Sequence, residues 1–293
     1  MEDYIKEKRP NLSKSSIKTY TSTLNNLYKK IYDEEPIDIK KTVEKLSKPD
    51  NIIKYIKDIK PTVRKSILSA LVVISENPKF RELMLEDITT YNKEEAKQTK
   101  TDKQTDNWVE KEEMSELLDI YENMAKYLYK KKTLTNKELQ SLQDYIILVL
   151  YSGKYIPPRR SKDYVDFKIK NIDKDKDNYI EGNKLIFNSY KTAKTYGKQE
   201  VKIDRKLKSI LTKWINVNDT DYLLFDGNDN KLSNVKLNQR LNKLFNKKAG
   251  VNQMRKTFLS DKYSDMIDKK NELDEDMKLM GSSTLQEKIY IKK

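Results

Sequence analysis

Apolar residues recur at helical spacing through most of this chain and alternate with polar ones in a single stretch. Ile17, Tyr20, Leu24, Leu27, Tyr28 and Ile31 fall on one helical face, with Ser13 or Ser15 placed to cap its start. Ile52, Ile53, Ile56 and Ile59 mark a second helix, and Val63, Ile67, Leu68, Leu71 and Ile74 a third. Five of the seven prolines lie before residue 80, and all six glycines lie beyond residue 150. Helices separated by short breaks are the expectation for such a first half, so residues 1–95 read as a helical bundle.

Residues 96–107 are polar and read as a linker. Trp108 and Val109 restart the apolar pattern, and a long helix is expected from about 134 to 152. Between 164 and 203 the period changes to two. Phe167 and Ile169, Leu185 and Phe187, and Val201 and Ile203 alternate with polar neighbours, which predicts a small antiparallel sheet. A hairpin tip is expected near Thr195–Lys198. After Asp204 the chain is helical again, apart from a short strand at Tyr222–Phe225 and the turn that follows it. The fold class is therefore mainly α with a small antiparallel β-sheet, in two domains: a helical bundle and an α+β domain over 108–293.

Composition narrows the function. The chain has 293 residues, with 60 Lys+Arg against 46 Asp+Glu and a formal net charge of +14. That excess favours a polyanionic partner. There is no cysteine, which excludes disulfides and thiolate chemistry. There is no histidine either, so metals held by nitrogen or sulfur are disfavoured. The first residues form no apolar leader and no run approaches the length of a membrane span. The expectation is a soluble intracellular protein with no metal, no cofactor and no small-molecule substrate.

Three cationic segments and one tyrosine carry the candidate chemistry. Gly153–Phe167 contains Pro157, Pro158, Arg159, Arg160 and Asp163. Pro158 suits a first helical turn, which would set Arg160 and Asp163 three apart on one face, with the carboxylate orienting the guanidinium. Lys191, Lys194 and Lys198 fall in the expected hairpin, where lysines commonly contact phosphates. Arg255 follows Gly250 and Asn252 at a helix start, with Lys256 beside it. Tyr290 closes the series behind Gly281 and Ser282.

In this order, the segments resemble the boxes of the tyrosine recombinases, or phage-type integrases, in the version carried by large DNA viruses and their mobile elements. Arg160, Asp163, Tyr164 and Phe167 match the family's first-arginine pattern, with Asp in place of Glu. Lys191 matches its hairpin lysine best, with Lys194 as runner-up. Arg255 matches its second arginine, and Tyr290 its nucleophile. The front bundle is similar to the family's core-binding domain and 108–293 to its catalytic domain. The resemblance implies site-specific cutting and rejoining of double-stranded DNA through a 3′-phosphotyrosine, without metal, by four protomers on paired sites. Tyr290 would attack, Arg160 and Arg255 would hold the phosphate, and Lys191 would protonate the leaving oxygen. Arg159, Lys194, Lys198 and Lys256 would contact DNA. Asn252, Ser282, Asp163, Lys194 and Lys256 remain auxiliary candidates.

The chain departs from the family's pattern at the proton-handling positions. Asn252 and Ser282 occupy or adjoin places where the family carries His, Lys or Trp, and the spacing from Gly281 to Tyr290 is one residue short. Two alternatives stay open. One is a DNA-binding relative that has lost the chemistry. The other is a type IB topoisomerase.

Overall fold

The computed structural model describes residues 1–282. The chain divides into two compact units, Met1–Lys100 and Thr101–Lys293. Among the described residues the structure is mainly helical, with one small antiparallel sheet.

The first unit holds α1 (Glu2–Lys8), α2 (Lys14–Tyr32), α3 (Ile39–Leu46), α4 (Pro49–Ile56), α5 (Pro61–Ile74) and α6 (Pro78–Ala96). Ser13 caps α2 by accepting from Ser16 N at 3.1 Å. Pro49, Pro61 and Pro78 each open a helix, where a missing N–H and a fixed φ cost nothing. The prolines therefore start the helices that follow them. Leu24, Leu68, Leu71 and Phe80 are fully buried in the shared core. Arg64 reaches from α5 to α6 and grips Asp87 with two hydrogen bonds, 2.9 Å from Nε and 2.6 Å from Nη2.

The second unit begins inside the stretch read as a linker. A short helix, α7 (Asp102–Asp106), forms there because Thr101 and Gln104 cap each other reciprocally. Then come α8 (Lys111–Leu128) and α9 (Asn136–Tyr151), the latter started by a Thr135–Glu138 capping box. From Tyr145 to Tyr151 every residue of α9 is buried, which marks it as the central helix of this unit. The rest is α10 (Ser161–Val165), β1 (Tyr179–Glu181), β2 (Lys184–Phe187), α11 (Ala193–Tyr196), β3 (Gln199–Lys202), α12 (Arg205–Val217), α13 (Asn234–Phe245) and α14 (Val251–Leu279).

The sheet runs β1-β2-β3, antiparallel throughout. Its first strand is not the 167–169 segment that alternation singles out. Phe167–Ile169 divides its backbone bonds between two neighbours: Lys168 N donates to Asn178 O, while Ile169 N donates to Asp221 O and Leu223 N to Phe167 O. With about one residue paired to each side, isolated bridges form and no ladder. Tyr222–Phe225 likewise makes only single bridges, although Leu223, Leu224 and Phe225 are buried and Phe225 stacks on Trp214. The connection between β2 and β3 is no tight tip at 195–198. Phe187 pairs with Gln199, so the loop spans 188–198 and contains the single helical turn α11.

Candidate active site

Two glycines set the approach of the cationic segments. Gly153 leaves α9 with φ +76°, a left-handed conformation that favours a residue without Cβ. A Cβ there would lie 2.3 Å from Cδ2 of Phe258 on α14, so the chain running from α9 to α10 passes hard against the helix that carries Arg255. A Cβ on Gly250 would lie 2.3 Å from Asn238 Oδ1, the atom that accepts from Val251 N at 2.8 Å and so caps α14 from α13. The start of α14 is thereby fixed from one side and its second turn from the other.

Pro157 and Pro158 then hold an extended entry to α10. Arg160 is the N-cap of that helix, with extended dihedrals of φ −66° and ψ 151°, and not a member of its first turn. This overturns the expected pairing. Asp163 Oδ2 accepts from Arg159 Nε at 2.9 Å, and Arg160 is left to the cleft. Arg159 also donates from Nη2 to Gln199 Oε1 at 3.0 Å and lies 3.8 Å from the centroid of the Phe187 ring. Beneath it, Tyr164 and Phe167 meet Phe187 edge-on, and Tyr151 meets Tyr164 at 5.6 Å.

Arg159, Arg160, Asp163 and Arg255 line one open cleft of about 340 Å³, together with Tyr190, Thr192, Tyr196 and Gln199. Residues 160 and 255 are 95 positions apart, and the fold brings them to one cleft. Asp163 is 3% exposed, and burial holds its carboxyl above the usual aspartate range against the opposing pull of Arg159, Arg160 and Arg255. Its Oδ1 has no hydrogen-bond partner among the described residues, nor do the hydroxyls of Tyr151 and Tyr164. Burial also raises both phenols well above their ordinary value, so they stay neutral beside the arginines. The result is a cleft lined by three guanidinium groups, one of them (Arg159) held by Asp163 and Gln199 over the Phe187 ring, with one buried carboxylate among them. Such a cleft suits a phosphate oxyanion.

The other sequence candidates are distributed differently. Lys191, Lys194 and Lys198 are exposed on the 188–198 loop, while Tyr190, Thr192 and Tyr196 of the same loop line the cleft. Lys198 is paired with Glu200 at 3.2 Å. Asn252 and Lys256 share the next face of α14 and line a different cleft of about 410 Å³ with Ser161, Lys248 and Gly250. Asn252 thus lines that second cleft and not the arginine cleft, although it precedes Arg255 by one helical turn. Ser282 stands at the far end of α14. Gly281, at φ +71°, and Ser282 close that helix in a Schellman motif, Gly281 N donating to Lys278 O and Ser282 N to Met277 O. From Arg255 to Ser282 there are 27 positions at about 1.5 Å each, or ~40 Å. Tyr290 lies outside the described residues.

Gln199 and Tyr190 were not singled out from sequence. Gln199 does continue the alternation of Val201 and Ile203, so its face was legible although its partner was not. A larger cleft, about 850 Å³ between α9 and α13, has two of its cations paired with carboxylates: Arg240 with Asp144 at 2.7 Å and Lys236 with Asp226 at 3.0 Å. Among the described residues, no group of three or more Asp or Glu side chains is arranged to hold a metal ion, and no helix is long and apolar enough to cross a membrane.

No family model and no curated protein matches this chain. Among solved structures, the crystal structure of XerA recombinase aligns with 88% of this chain and 83% of its own, at 14% identity and a TM-score of 0.36. A superposition that loose carries no weight for either fold family or function.

Proposed function

We propose that this protein cuts and rejoins double-stranded DNA as a tyrosine recombinase does, through a phosphotyrosyl intermediate formed by Tyr290. The observation that carries the reading is the arginine cleft: Arg160 and Arg255, which belong to separate sequence motifs, line the same cleft with Asp163. Arg160 and Arg255 would hold the two non-bridging oxygens and balance the charge of the pentavalent transition state. Preorganised donors of this kind are each worth roughly 10²–10³ in rate. Lys191 would give its proton to the departing 5′ oxygen, from the loop whose Tyr190 and Thr192 line the cleft. The net charge of +14 supplies the long-range attraction to a duplex.

The four protomers that the resemblance implies would let Tyr290 act in its own copy's cleft or in a neighbour's. Nicked suicide duplexes drawn from a library of sequences test the reading. A covalent adduct resistant to detergent should form with the wild type and vanish with Tyr290→Phe. Absence of adduct from a duplex that the protein demonstrably binds would leave the second reading, a DNA-binding relative without the chemistry. The absence of histidine from the chain and the place of Asn252 in a separate cleft favour that second reading.

A further inference from the structure

We propose that Arg159 is the positioning residue of this site: it latches the lysine-bearing loop 188–198 to the turn that carries Arg160, and it is not itself a phosphate ligand. The contacts are directional. Nε is committed to Asp163 on α10 and Nη2 to Gln199 on β3. The guanidinium face is covered by Phe187 on β2. Phe187 and Gln199 are the last paired residues before the strands part into the loop. One planar group therefore bridges both stems of the loop and the turn that presents Arg160. A lysine could reproduce the charge but not the fork and the stacked plane together.

Two neutral ties surround the charged one. Tyr190 donates its hydroxyl to Gly197 O at 2.7 Å, which closes the loop across its waist. Asn178 donates to both Asp163 O and Ser189 O, which joins α10 to the first residues of the loop. These ties bind loop to loop and backbone to backbone. The Arg159 contact with Gln199 is the one that engages the far stem. Its side chain is only 18% exposed, and Asp163's is 4% exposed, so water competes weakly for the bonds. Opening the loop means separating Arg159 from Gln199 and uncovering Phe187. The loop that carries Lys191 and Lys194, and whose Tyr190, Thr192 and Tyr196 line the cleft, would then be released from the Arg160 turn.

The test reads the free protein first and DNA second. Trypsin cleavage after Lys191, Lys194 and Lys198, with amide exchange over 188–198, measures loop opening in the full chain. Gln199→Ala keeps every charge and should raise opening by about tenfold or more, the share of a hydrogen bond to a charged group. Arg159→Lys should not rescue it. Gln199→Glu should act in the opposite sense and slow opening, because the bond then joins two charges. Opening unchanged in Gln199→Ala and Gln199→Glu, with helical content and melting temperature as in the wild type, overturns the latch.

The second measurement is binding of a mixed-sequence duplex across salt concentration. Gln199→Ala should weaken binding with the salt slope unchanged. Arg159→Lys should weaken it as well, although it keeps the charge. If Arg159 were a phosphate ligand and not a latch, Gln199→Ala would leave duplex binding unchanged, which also overturns the proposal. The loop measurements do not rest on the DNA reading. Altered opening in a protein that shows no duplex affinity would sink that reading and leave the latch standing.

Discussion

Replacing Gly153 by alanine puts the geometry of the arginine cleft to its sharpest test. Two costs add at this position. The residue sits at φ +76°, where an L side chain meets its own backbone at roughly 1–2 kcal/mol. The new methyl would also lie 2.3 Å from Cδ2 and 2.9 Å from Cε2 of Phe258, far inside a carbon–carbon contact of about 3.5–4.0 Å. Forced repacking of that kind costs about 1–3 kcal/mol. The expected loss is therefore about 2–5 kcal/mol in the second unit. The chain's two tryptophans, Trp108 and Trp214, both lie in that unit, so their fluorescence during urea unfolding reports it separately from the first. Phe258→Ala combined with Gly153→Ala should relieve the collision but not the dihedral cost. A coupling of about 1–3 kcal/mol is expected in the double-mutant cycle. Gly153→Ala within about 0.5 kcal/mol of wild type, or a cycle with no coupling, would refute the close approach of the α9 exit to α14. Since Arg160 follows Gly153 by seven residues and Arg255 precedes Phe258 by three, duplex binding should weaken in parallel.

Three further outcomes follow from the same structure. Arg160→Ala and Arg255→Ala should each reduce adduct formation by roughly 10²–10³ and lower the salt slope of duplex binding by about 0.9; slopes equal to wild type would remove both from the phosphate. Glu34 is held at about 2 by Lys45, Tyr28 and Lys41, so its contribution to the first unit is complete above the ordinary value of 4.5 and is lost as the pH falls from there toward 2. Glu34→Gln should flatten that part of the acid sensitivity, read by amide exchange in α2 and α3. Arg64→Met leaves Asp87, 2% exposed, without its partner inside the first unit and should cost about 3–5 kcal/mol, read by amide exchange in α5 and α6; retention of wild-type protection there would contradict the buried pair.

The elements that sequence shows well are those with local causes. Ser13 caps α2 and Thr135 caps α9 because a side-chain oxygen reaches an N–H two or three residues away, whatever the rest of the chain does. The helical faces of the first unit follow from apolar spacing in the same way. The 167–169 and 222–225 segments show the limit of this legibility. Their alternation marks a half-buried extended chain, yet a strand also needs a partner running alongside for several residues, and the fold offers each of them a different neighbour at every step.

The site divides along the same line. Residue order alone placed Arg160, Lys191 and Arg255 in three cationic segments, and composition alone supplied the net charge and removed cysteine and histidine chemistry. Only tertiary structure decided which arginine Asp163 binds. Arg160 is an extended N-cap residue outside the helical turn, and Asp163 takes Arg159 four residues back. Tertiary structure also set Asn252 and Arg255, one turn apart on α14, in two different clefts, and it took Gly281 and Ser282 for the end of α14. A motif records spacing along the chain, whereas a phosphate is held by directions in space, and those are set by packing between segments far apart in sequence.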